Sequence, residues 1–527
     1  MSRNIALVGL IMLCLSALVS AQPAIGAGGI LNGASFRLAG APGGGVAAGS
    51  IVSIFGTGLA TSTASATSVP LTTTLNGTSV TIGGRAAPLF FVSAGQINAQ
   101  VPWSVTAGSQ PVVVTVNGTA SAAVSVVVQA TSPGIFSQAS SGQGPGAIQN
   151  FVTQTNTPLN NATTAIAPGG TIIIYATGLG AVSNTPADGA AGSGQTTTGT
   201  VTVKIGSQTV TPAFAGLAPG FVGLNQVNAV VPANTPQGCS IAVQLLVGGQ
   251  VSNTTTISVA GSGNCTTLPS EFAPAPNSSA GAIILSKTSI SALGFTLPGS
   301  GSVSATFNRY GAVAVGQTIA PPPGGGCIVT YAQGSSPALP NFSAGATALD
   351  AGTLTYTPPG GAGQNMPQTA VGTYSLGFSS GSSIGTGTHT VAGSGGRDVG
   401  TFTATNTVAG QFNGTTNISG TTMSQAAGFT ASWSSCPDPN GTVVVGGYSV
   451  DPTTNIYGLF FCTAACSAQS FRVGSDILSQ LPRSSPQGAA VLLIFTGTPT
   501  RFSATGLNQG AFIFNDTTIL GGLTLGQ

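Results

Sequence analysis

The sequence predicts an all-β protein, in which two small β-sandwiches in tandem precede a larger C-terminal β-sandwich region. The first observation is a repeat, because Gln96-Ile97-Asn98-Ala99-Gln100-Val101-Pro102 returns as Gln226-Val227-Asn228-Ala229-Val230-Val231-Pro232, with similar sequence on both sides. The second observation is composition, since hydrophobic residues make up 42% of the chain. Runs rich in Val, Ile and Phe alternate with Gly, Thr, Ser and Asn, which is typical of strands joined by turns.

The shortage of charge argues against two classes of partner. Charged residues make up 3% of the chain and its formal net charge is +2, whereas ordinary domains carry about 25% charged residues. Nucleic-acid binding depends on clustered Lys and Arg, and the sequence contains no such cluster. The same shortage argues against an anionic membrane surface. We therefore expect no nucleic-acid partner.

Residues 1–21 have the pattern of a secretory signal peptide. Arg3 supplies the basic end, residues 5–19 the apolar segment, and Val19-Ser20-Ala21 a small-residue cleavage site. The apolar segment is too short to cross a membrane comfortably. We expect a secreted or cell-surface protein, exported through a Sec-type signal peptide and not integral to a membrane after cleavage.

In an oxidising compartment, cysteines form disulfide bonds. Six lie beyond the signal peptide, an even number that indicates disulfide bonds. Two predicted strands joined by Gly248-Gly249 lie between Cys239 and Cys265, and such a hairpin brings its outer ends together, so we expect these two cysteines to pair. The other four allow three pairings, among which the sequence does not choose: Cys327, Cys436, Cys462 and Cys466.

The repeated units cover residues 28–131 and 132–262. Asn117-Gly118 and Gly248-Gly249 are suited to type I′ hairpins, which need positive φ at both central positions. Each unit is predicted to hold about seven short strands, with turns at regular spacing, which is the pattern of an immunoglobulin-like sandwich.

The opening of the first unit carries a more specific resemblance. Gly49-Ser50-Ile51-Val52-Ser53-Ile54-Phe55-Gly56-Thr57-Gly58-Leu59 and the later Val-Pro strand resemble the IPT/TIG class of immunoglobulin-like domains. Together with Ser132-Pro133-Gly134-Ile135-Phe136 and residues 216–223, the chain more narrowly resembles a Solibacter-type family of secreted acidobacterial proteins. That resemblance implies an exported tandem module and supplies no catalytic residues.

A Pro-containing linker, residues 263–279, leads to a C-terminal β-rich region, residues 280–527. Its predicted strands are residues 303–307, 352–357, 372–378, 400–405, 443–450, 491–495 and 511–514. We expect one large β-sandwich or two that pack together.

Candidate catalytic residues are few. His389 is the only histidine, and a Ser-His-Asp site would combine it with Asp350 or Asp398. A glycosidase would use two carboxylates about 5–9.5 Å apart, and Asp350 and Asp398 have the most suitable, glycine-flanked contexts. The ordinary alternatives, which we favour, are aspartates that bond turn amides and a turn or strand histidine that faces solvent.

Candidate ligand-binding residues are aromatic, because exposed rings hold sugars by ring-face contact. Trp103 follows the repeated line in the first unit, where the second unit has Ala233. Trp433 and Tyr448 are candidates in the C-terminal region. Packing in a core or at an edge is the favoured alternative for all three.

Metal and cofactor sites are not expected. Asp438-Pro439-Asn440-Gly441-Thr442 lacks the bidentate acid that closes a calcium loop, and no helix follows the Gly-rich turns to form a phosphate cradle. The favoured hypothesis is a non-enzymatic extracellular protein that binds a glycan or a protein surface, in adhesion or polysaccharide binding. The alternative is a polysaccharide hydrolase whose chemistry lies in the C-terminal region, with the repeated units as accessory modules.

Overall fold

The computed structural model describes residues 22–265, 277–292, 295–311, 326–334, 346–378, 384–416, 418, 422–484 and 488–526. The predicted signal peptide lies outside the described residues. The fold is all-β. Helical structure in the described residues includes a 3-10 turn, Cys466–Ala468, and a short helix, α1, Ser475–Leu478. No helix in the described part of the chain is long and apolar enough to span a membrane.

The first sandwich consists of two sheets. One has the strand order β1-β3-β9-β8-β4; the other has the order β2-β12-β10-β6-β5, with β11 beside β10 and β7 beside β6. β1 begins before residue 28, because the chain already pairs with β3 from Ala24 onward. The strands are β1 Ala24–Asn32, β2 Val46–Ala47, β3 Ile51–Thr57, β4 Ala64–Ser65, β5 Thr74–Leu75, β6 Thr78–Ile82, β7 Arg85–Ala86, β8 Leu89–Val92, β9 Gln96–Gln100, β10 Gly108–Val116, β11 Thr119–Ala120 and β12 Val124–Gln129.

The second sandwich repeats this plan. One sheet has the order β13-β15-β19-β18, with β14 beside β15, and the other has the order β17-β16-β20-β21, with β22 beside β20. The strands are β13 Gly134–Ile135, β14 Ile148–Phe151, β15 Thr171–Thr177, β16 Val201–Ile205, β17 Gln208–Val210, β18 Phe214–Leu217, β19 Asn225–Val230, β20 Gly238–Val247, β21 Gln250–Val251 and β22 Thr255–Val259.

The repeated line is an inner strand of one sheet in each sandwich, β9 in the first and β19 in the second. Asn98 pairs with Ser53 on β3, and Asn228 pairs with Ile173 on β15. In both copies the Gln side chain donates a hydrogen bond to the Asn side chain two residues on, over 2.9 Å from Gln96 and 3.0 Å from Gln226. Ile97 and Val227, which lie between the two amide side chains, point into the core. Each strand therefore has an amide face and an apolar face.

The two cores are aliphatic. Each buried cluster contains only Ile, Val, Leu and Ala and draws on both sheets of its sandwich. Ile97 and Val227, from equivalent positions of the repeated line, are both fully buried. Because β-branched side chains pack well on a pleated surface, such a core is built without aromatic rings.

The C-terminal domain is larger, and its core includes aromatic residues such as Trp433 and Phe460. Its first strand begins at Ser279, the last residue of the predicted linker. The strands are β23 Ser279–Ala292, β24 Phe295–Arg309, β25 Cys327–Gln333, β26 Thr347–Ala348, β27 Leu354–Thr357, β28 Gln364–Met366, β29 Gln368–Ala370, β30 Thr373–Phe378, β31 Gly387–Gly393, β32 Phe402–Val408, β33 Asn413–Gly414, β34 Thr422–Ser424, β35 Phe429–Ser435, β36 Thr442–Asp451, β37 Ile456–Ala465, β38 Ser470–Val473, β39 Ala489–Thr496, β40 Thr500–Phe502 and β41 Gln509–Gly526.

One twelve-stranded sheet dominates this domain. Its order is β25-β37-β36-β39-β41-β23-β24-β30-β29, with β26, β34 and β40 at its margins. Smaller sheets, β28-β27-β31-β32 and β33-β35-β38, contribute to the same buried core. The first and last strands of the domain, β23 and β41, are parallel neighbours.

Three disulfide bonds are present. Cys239 pairs with Cys265, as the hairpin predicts. The structure resolves the open pairings as Cys327 with Cys462, across strands β25 and β37, and Cys436 with Cys466.

The second sandwich docks against the end of the repeated line in the first. The backbone amide of Gly189 donates to the Gln100 side chain over 2.7 Å, and the amide of Trp103 donates to the Asp188 carboxylate over 2.8 Å. Gln100 is fully buried, whereas the equivalent Val230 is 48% exposed. The two copies therefore differ here because only the first is covered by a neighbour.

Arg37 joins all three parts of the chain. Its guanidinium donates to the backbone oxygen of Val251 in the second sandwich over 2.9 Å and to the Gln480 side chain in the C-terminal domain over 3.2 Å. It also lies 5.4 Å from the centre of the Tyr331 ring. Nearby, Lys204 pairs with Asp476 across the same junction. Arg37 is 6% exposed, so its charge is stabilised by these partners and not by water.

We predict that Arg37→Ala loosens this junction. The change removes the charge-assisted hydrogen bonds and leaves buried oxygens without a donor, at a cost of about 3 kcal/mol in the free energy of unfolding. Urea unfolding and limited proteolysis measure the effect. The control is Arg85→Ala, because Arg85 is exposed, and its effect should stay within about 0.5 kcal/mol. Equal behaviour of the two variants would contradict the role given to Arg37.

Candidate functional site

The structure brings Asp350 and Asp398 together. The backbone amide of Asp350 donates to Oδ2 of Asp398 over 2.9 Å, and the amides of Asp398 and Val399 donate to the Asp350 backbone oxygen over 3.0 Å. Two loops therefore cross here. Gly352 has φ of +74°, and a Cβ at this position would lie 2.2 Å from the backbone oxygen of Gly395. The glycines that flank the aspartates are explained by this close backbone approach.

Both carboxylates are engaged within the loops. Oδ1 of Asp350 accepts from the Gly352 amide over 3.0 Å, and Oδ2 of Asp398 accepts from Arg397 over 3.1 Å. The amide of Asp350, together with the Arg397 guanidinium, lowers the pKa of Asp398. A carboxyl group held in its ionised form is poorly suited to be the general acid that a glycosidase needs. This geometry is that of turn-stabilising aspartates.

His389 is a buried strand residue, so the expectation that it faces solvent was wrong. It is fully buried on β31, where Nδ1 lies 2.8 Å from the Tyr356 hydroxyl and Nε2 lies 3.0 Å from the backbone oxygen of Gly385. Since a carbonyl oxygen only accepts, Nε2 carries the proton and Tyr356 donates to Nδ1. Burial lowers the pKa of His389 and raises the pKa of Tyr356 to about 12. The imidazole is held neutral by two partners and no serine hydroxyl is among them.

Trp103 packs in the junction between the two sandwiches. Its ring covers Gly49, because a Cβ there would lie 2.2 Å from the indole. The indole nitrogen is buried and has no hydrogen-bond partner among the described residues. The second copy needs no such residue, since Ala233 is exposed. One face of the Trp103 ring is thus used in packing.

Trp433 is a core residue, and the structure contradicts its candidacy as a ligand-binding side chain. It is 2% exposed, its indole donates to the Cys466 backbone oxygen over 2.6 Å, and its ring lies 6.4 Å from that of Phe412. A ring enclosed in this way presents no face to a sugar.

Tyr448 lies on the outer face of the large sheet. We use this name for the side opposite the buried Val443 and Val445 of β36. Val450 pairs with Tyr457 on β37, so Tyr448 and Tyr457 share this face, and their ring centres lie 6.4 Å apart. Both rings are half-buried. Sequence reasoning missed Tyr457, because only the strand register places it beside Tyr448.

The outer face carries no charged side chain on four adjoining strands, β25, β37, β36 and β39. Strand alternation and register place only apolar residues, threonines and the two tyrosines there. At the β25 edge, Thr330 accepts a hydrogen bond from Gln143 of the second sandwich over 3.0 Å. Leu459, Thr463 and Ala490 of this face are buried, so only part of it is accessible. This arrangement offers ring surface and hydroxyl groups, and no groups for acid-base chemistry.

Asp438 begins a β-turn. Its carboxylate accepts from the Asn440 amide over 3.0 Å, and its backbone oxygen accepts from the Gly441 amide over 2.9 Å. Among the described residues, no group of three or more His, Cys, Asp or Glu side chains is arranged to hold a metal ion.

We predict that His389 makes stability dependent on pH. Its pKa in the folded chain lies below the ordinary 6.5, so the folded state binds fewer protons than the unfolded state in this range. The contribution of neutral His389 to the free energy of unfolding is fully present above pH 6.5 and is lost as the pH falls towards the folded-state pKa. The loss is about 1.4 kcal/mol for each pH unit between the unfolded-state and folded-state pKa values. Thermal or urea unfolding from pH 7 to pH 5 measures this decline.

The matched variant is His389→Gln, which cannot titrate. It should be about 1–3 kcal/mol less stable at pH 7, since Tyr356 loses its buried acceptor, and should show a flatter response between pH 7 and pH 5. As His389 is the only histidine, identical pH responses in the two proteins would refute the assignment.

Comparison with known proteins identifies one part of the chain. Residues 42–130 match the IPT/TIG domain family. A search of curated proteins finds no match. Among solved structures, the mixed-linkage glucan utilization locus SGBP-B of Bacteroides ovatus, in complex with a mixed-linkage heptasaccharide, is 14% identical, with 80% of this chain and 79% of that chain covered and a TM-score of 0.15.

Two further structures show a similar level of likeness. A tetra-tandem repeat from the extending region of a large adhesion protein is 13% identical, with 94% and 98% of the chains covered and a TM-score of 0.14. SGBP-B from a xyloglucan utilization locus of Bacteroides uniformis is 11% identical, with 69% and 87% covered and a TM-score of 0.16. Such TM-scores carry no argument about function, and the narrower acidobacterial resemblance stays a prediction. Residues 42–130 are an IPT/TIG immunoglobulin-like domain.

Proposed function

We propose that the protein is an exported, non-enzymatic, multi-domain β protein that binds polysaccharide on the outer face of its large sheet. The observation that carries this proposal is the Tyr448–Tyr457 pair, two half-buried rings 6.4 Å apart on a face without charged side chains. A tyrosine offers an apolar ring and a polar hydroxyl, which matches the alternating apolar and hydroxyl surfaces of a sugar.

The position of the rings supports this role. Tyr448 and Tyr457 lie on adjacent strands of a broad sheet, near the hairpin that joins them, so the backbone holds them on one surface. Val443 and Val445, which point inward from the same strand as Tyr448, are fully buried and fix its orientation. Rings that are fixed before binding lose little conformational entropy when a ligand arrives.

A role in binding also agrees with the way the three parts of the chain are joined. Arg37 and the Lys204–Asp476 ion pair connect the sandwiches to the C-terminal domain. The front sandwiches then act as a spacer that holds the tyrosine face in a defined orientation. Adhesion through the same face is the protein-binding form of this proposal.

The hydrolase alternative is favoured by one observation, the close approach of Asp350 and Asp398. We rank it second because both carboxylates accept hydrogen bonds from loop amides or from Arg397. In the alternative, these bonds would have to be exchanged for bonds to substrate and water.

We predict that Tyr448→Ala and Tyr457→Ala each weaken polysaccharide binding about tenfold, which corresponds to about 1.4 kcal/mol. Each change removes a ring from the binding face and leaves the core residues of its strand in place. Affinity gel electrophoresis and pull-down on a panel of insoluble and soluble polysaccharides measure the loss.

The control is Phe221→Ala, since Phe221 is an exposed aromatic residue, 57% exposed, in the second sandwich. This variant should bind as well as the unaltered chain. A panel that retains no protein would reject the polysaccharide proposal, and retention unaffected by loss of both tyrosines would reject the proposed face.

We also predict that Asp350→Asn and Asp398→Asn lower the thermal unfolding midpoint, because each weakens the crossing of the two loops. The unaltered chain should release no reducing ends from any polysaccharide that it binds. Release of reducing ends that both Asn variants abolish, without a change in binding, would establish the hydrolase instead.

A further inference from the structure

A polar cluster lies in the aromatic-lined core of the C-terminal domain. Lys287 on β23 and Asp516 on β41 are register partners of the large sheet, and their side chains form an ion pair with Nζ 3.6 Å from Oδ2. Lys287 Nζ also contacts Oε1 of Gln411. The Asp516 side chain is 2% exposed and that of Lys287 is 22% exposed.

The contact with Gln411 places an amine against an amide carbonyl. The amide carbon lies only about 1.2 Å beyond the oxygen that Nζ touches. Nε2 of Gln411 donates to the backbone oxygen of Ile384 over 3.4 Å, and the Gln411 backbone oxygen accepts from the Ser435 hydroxyl. The side-chain amide of Gln411 is thus held by Ile384, and its backbone by Ser435.

Aromatic rings surround the carboxyl group. The Phe412 amide donates to Oδ2 of Asp516 over 3.3 Å, which places the carboxyl beside the residue that follows Gln411. Phe495 is the register partner of Asp516 on β39, and its ring stacks on that of Phe412 at 5.5 Å and meets that of Phe514 at 6.3 Å. These rings exclude water from one side of the cluster.

An ordinary ion pair does not account well for this arrangement. Removing two charges from water costs several kcal/mol for each ion, and apolar side chains of similar size are often as stable or more stable. This chain has two lysines and 3% charged residues, and here the partly exposed Lys287 faces a carboxylate that is 2% exposed. Transfer of the Lys287 proton to Asp516 would remove both charges, and it would also produce the neutral amine that acts as a nucleophile.

We propose that Lys287 and Gln411 become joined by an intramolecular isopeptide bond, with Asp516 as the proton-transfer residue. The lone pair of Lys287 Nζ attacks the side-chain amide carbon of Gln411 and a C–N bond forms. The proton lost from Nζ passes through the Asp516 carboxyl to Nε2 of Gln411. The bond from the amide carbon to Nε2 then breaks, and one ammonia molecule leaves. No electrons are gained or lost, so no oxidant or cofactor is required.

The environment of Asp516 agrees with this role. Burial raises the pKa of this carboxyl group, although Lys287 opposes the change. A carboxyl whose pKa is raised by burial donates a proton to a leaving amine more readily than an exposed aspartate does. The bond would connect β23 to the segment before β33, 124 residues apart in the chain.

Mass spectrometry of the purified chain tests the proposal. The chain is produced from Gln22 onward with a preceding Met, because an N-terminal glutamine itself loses ammonia by cyclisation. With the three disulfide bonds reduced, the intact mass should be lower than the sequence mass by one ammonia. Peptide mapping should yield a branched peptide that contains Lys287 and Gln411, with no tryptic cleavage after Lys287.

Matched variants separate this bond from a simple ion pair. Lys287→Arg keeps the positive charge but cannot supply a neutral nucleophile, so it should show the full sequence mass. Asp516→Asn should also lack the branched peptide. Lys204→Arg alters the other lysine, which pairs with Asp476, and should retain the ammonia loss.

Three results would overturn the proposal. The first is an unaltered chain at its full sequence mass with normal cleavage after Lys287. The second is loss of water with a peptide that joins Lys287 to Asp516, which would make Asp516 the electrophile. The third is an ammonia loss that persists in Lys287→Arg. The unaltered chain decides the first two, so the proposal is testable even if a variant does not fold.

Discussion

Pairing between strands whose side chains alternate between aliphatic and uncharged polar groups is the interaction on which this structure depends. The repeated line shows the rule most simply: Ile97 and Ala99 are buried without exposed surface, while Gln96 and Asn98 bond to each other on the opposite side. A one-residue slip in register would exchange these faces and bury both amides against an apolar core. The same constraint holds in β19, so two sandwiches are built with cores of Ile, Val, Leu and Ala alone.

In a chain with so few charges, each ionic group that is buried has a specific position. Arg37 is directed at two backbone oxygens and one amide at the meeting point of the three parts of the chain. Arg397 and the amide of Asp350 are directed at Asp398, where two loops cross. Arg397 is exposed, whereas Arg37 is 6% exposed and depends on its partners, because an unpaired charge in a low-dielectric interior is strongly unfavourable. The ionic groups therefore fix how loops and domains meet, while the apolar alternation fixes the sandwiches themselves.

The sequence predicts local structure well where turn chemistry is explicit. The predicted strands 372–378 and 443–450 are β30 and β36, and the Asn117-Gly118 turn has positive φ at both positions, 48° and 84°. Tertiary features were beyond such reasoning. The parallel pairing of β23 with β41 joins opposite ends of a domain, and no local pattern encodes it. His389 is neutral because Tyr356 and Gly385 enclose it, and Tyr448 has an aromatic neighbour because of strand register. Trp433 is a residue type suited to ligand binding, but it lies in the core.

The pairing of β23 with β41 gives the Lys287 cluster its structural setting. These strands are parallel and run side by side from Ala280 to Ala292, so opposing pulls on the start of β23 and the end of β41 would load their hydrogen bonds in shear and not one at a time. Lys287 and Asp516 face each other within this ladder. A covalent bond from Lys287 to Gln411 would tie the ladder to the segment that covers it, in a domain that already has the Cys327–Cys462 and Cys436–Cys466 disulfides. The proposed bond would explain why Lys287 and Asp516 lie together at this point. Proton transfer from Lys287 to Asp516 and formation of the bond leave neutral groups, which removes the electrostatic cost that the ion pair imposes.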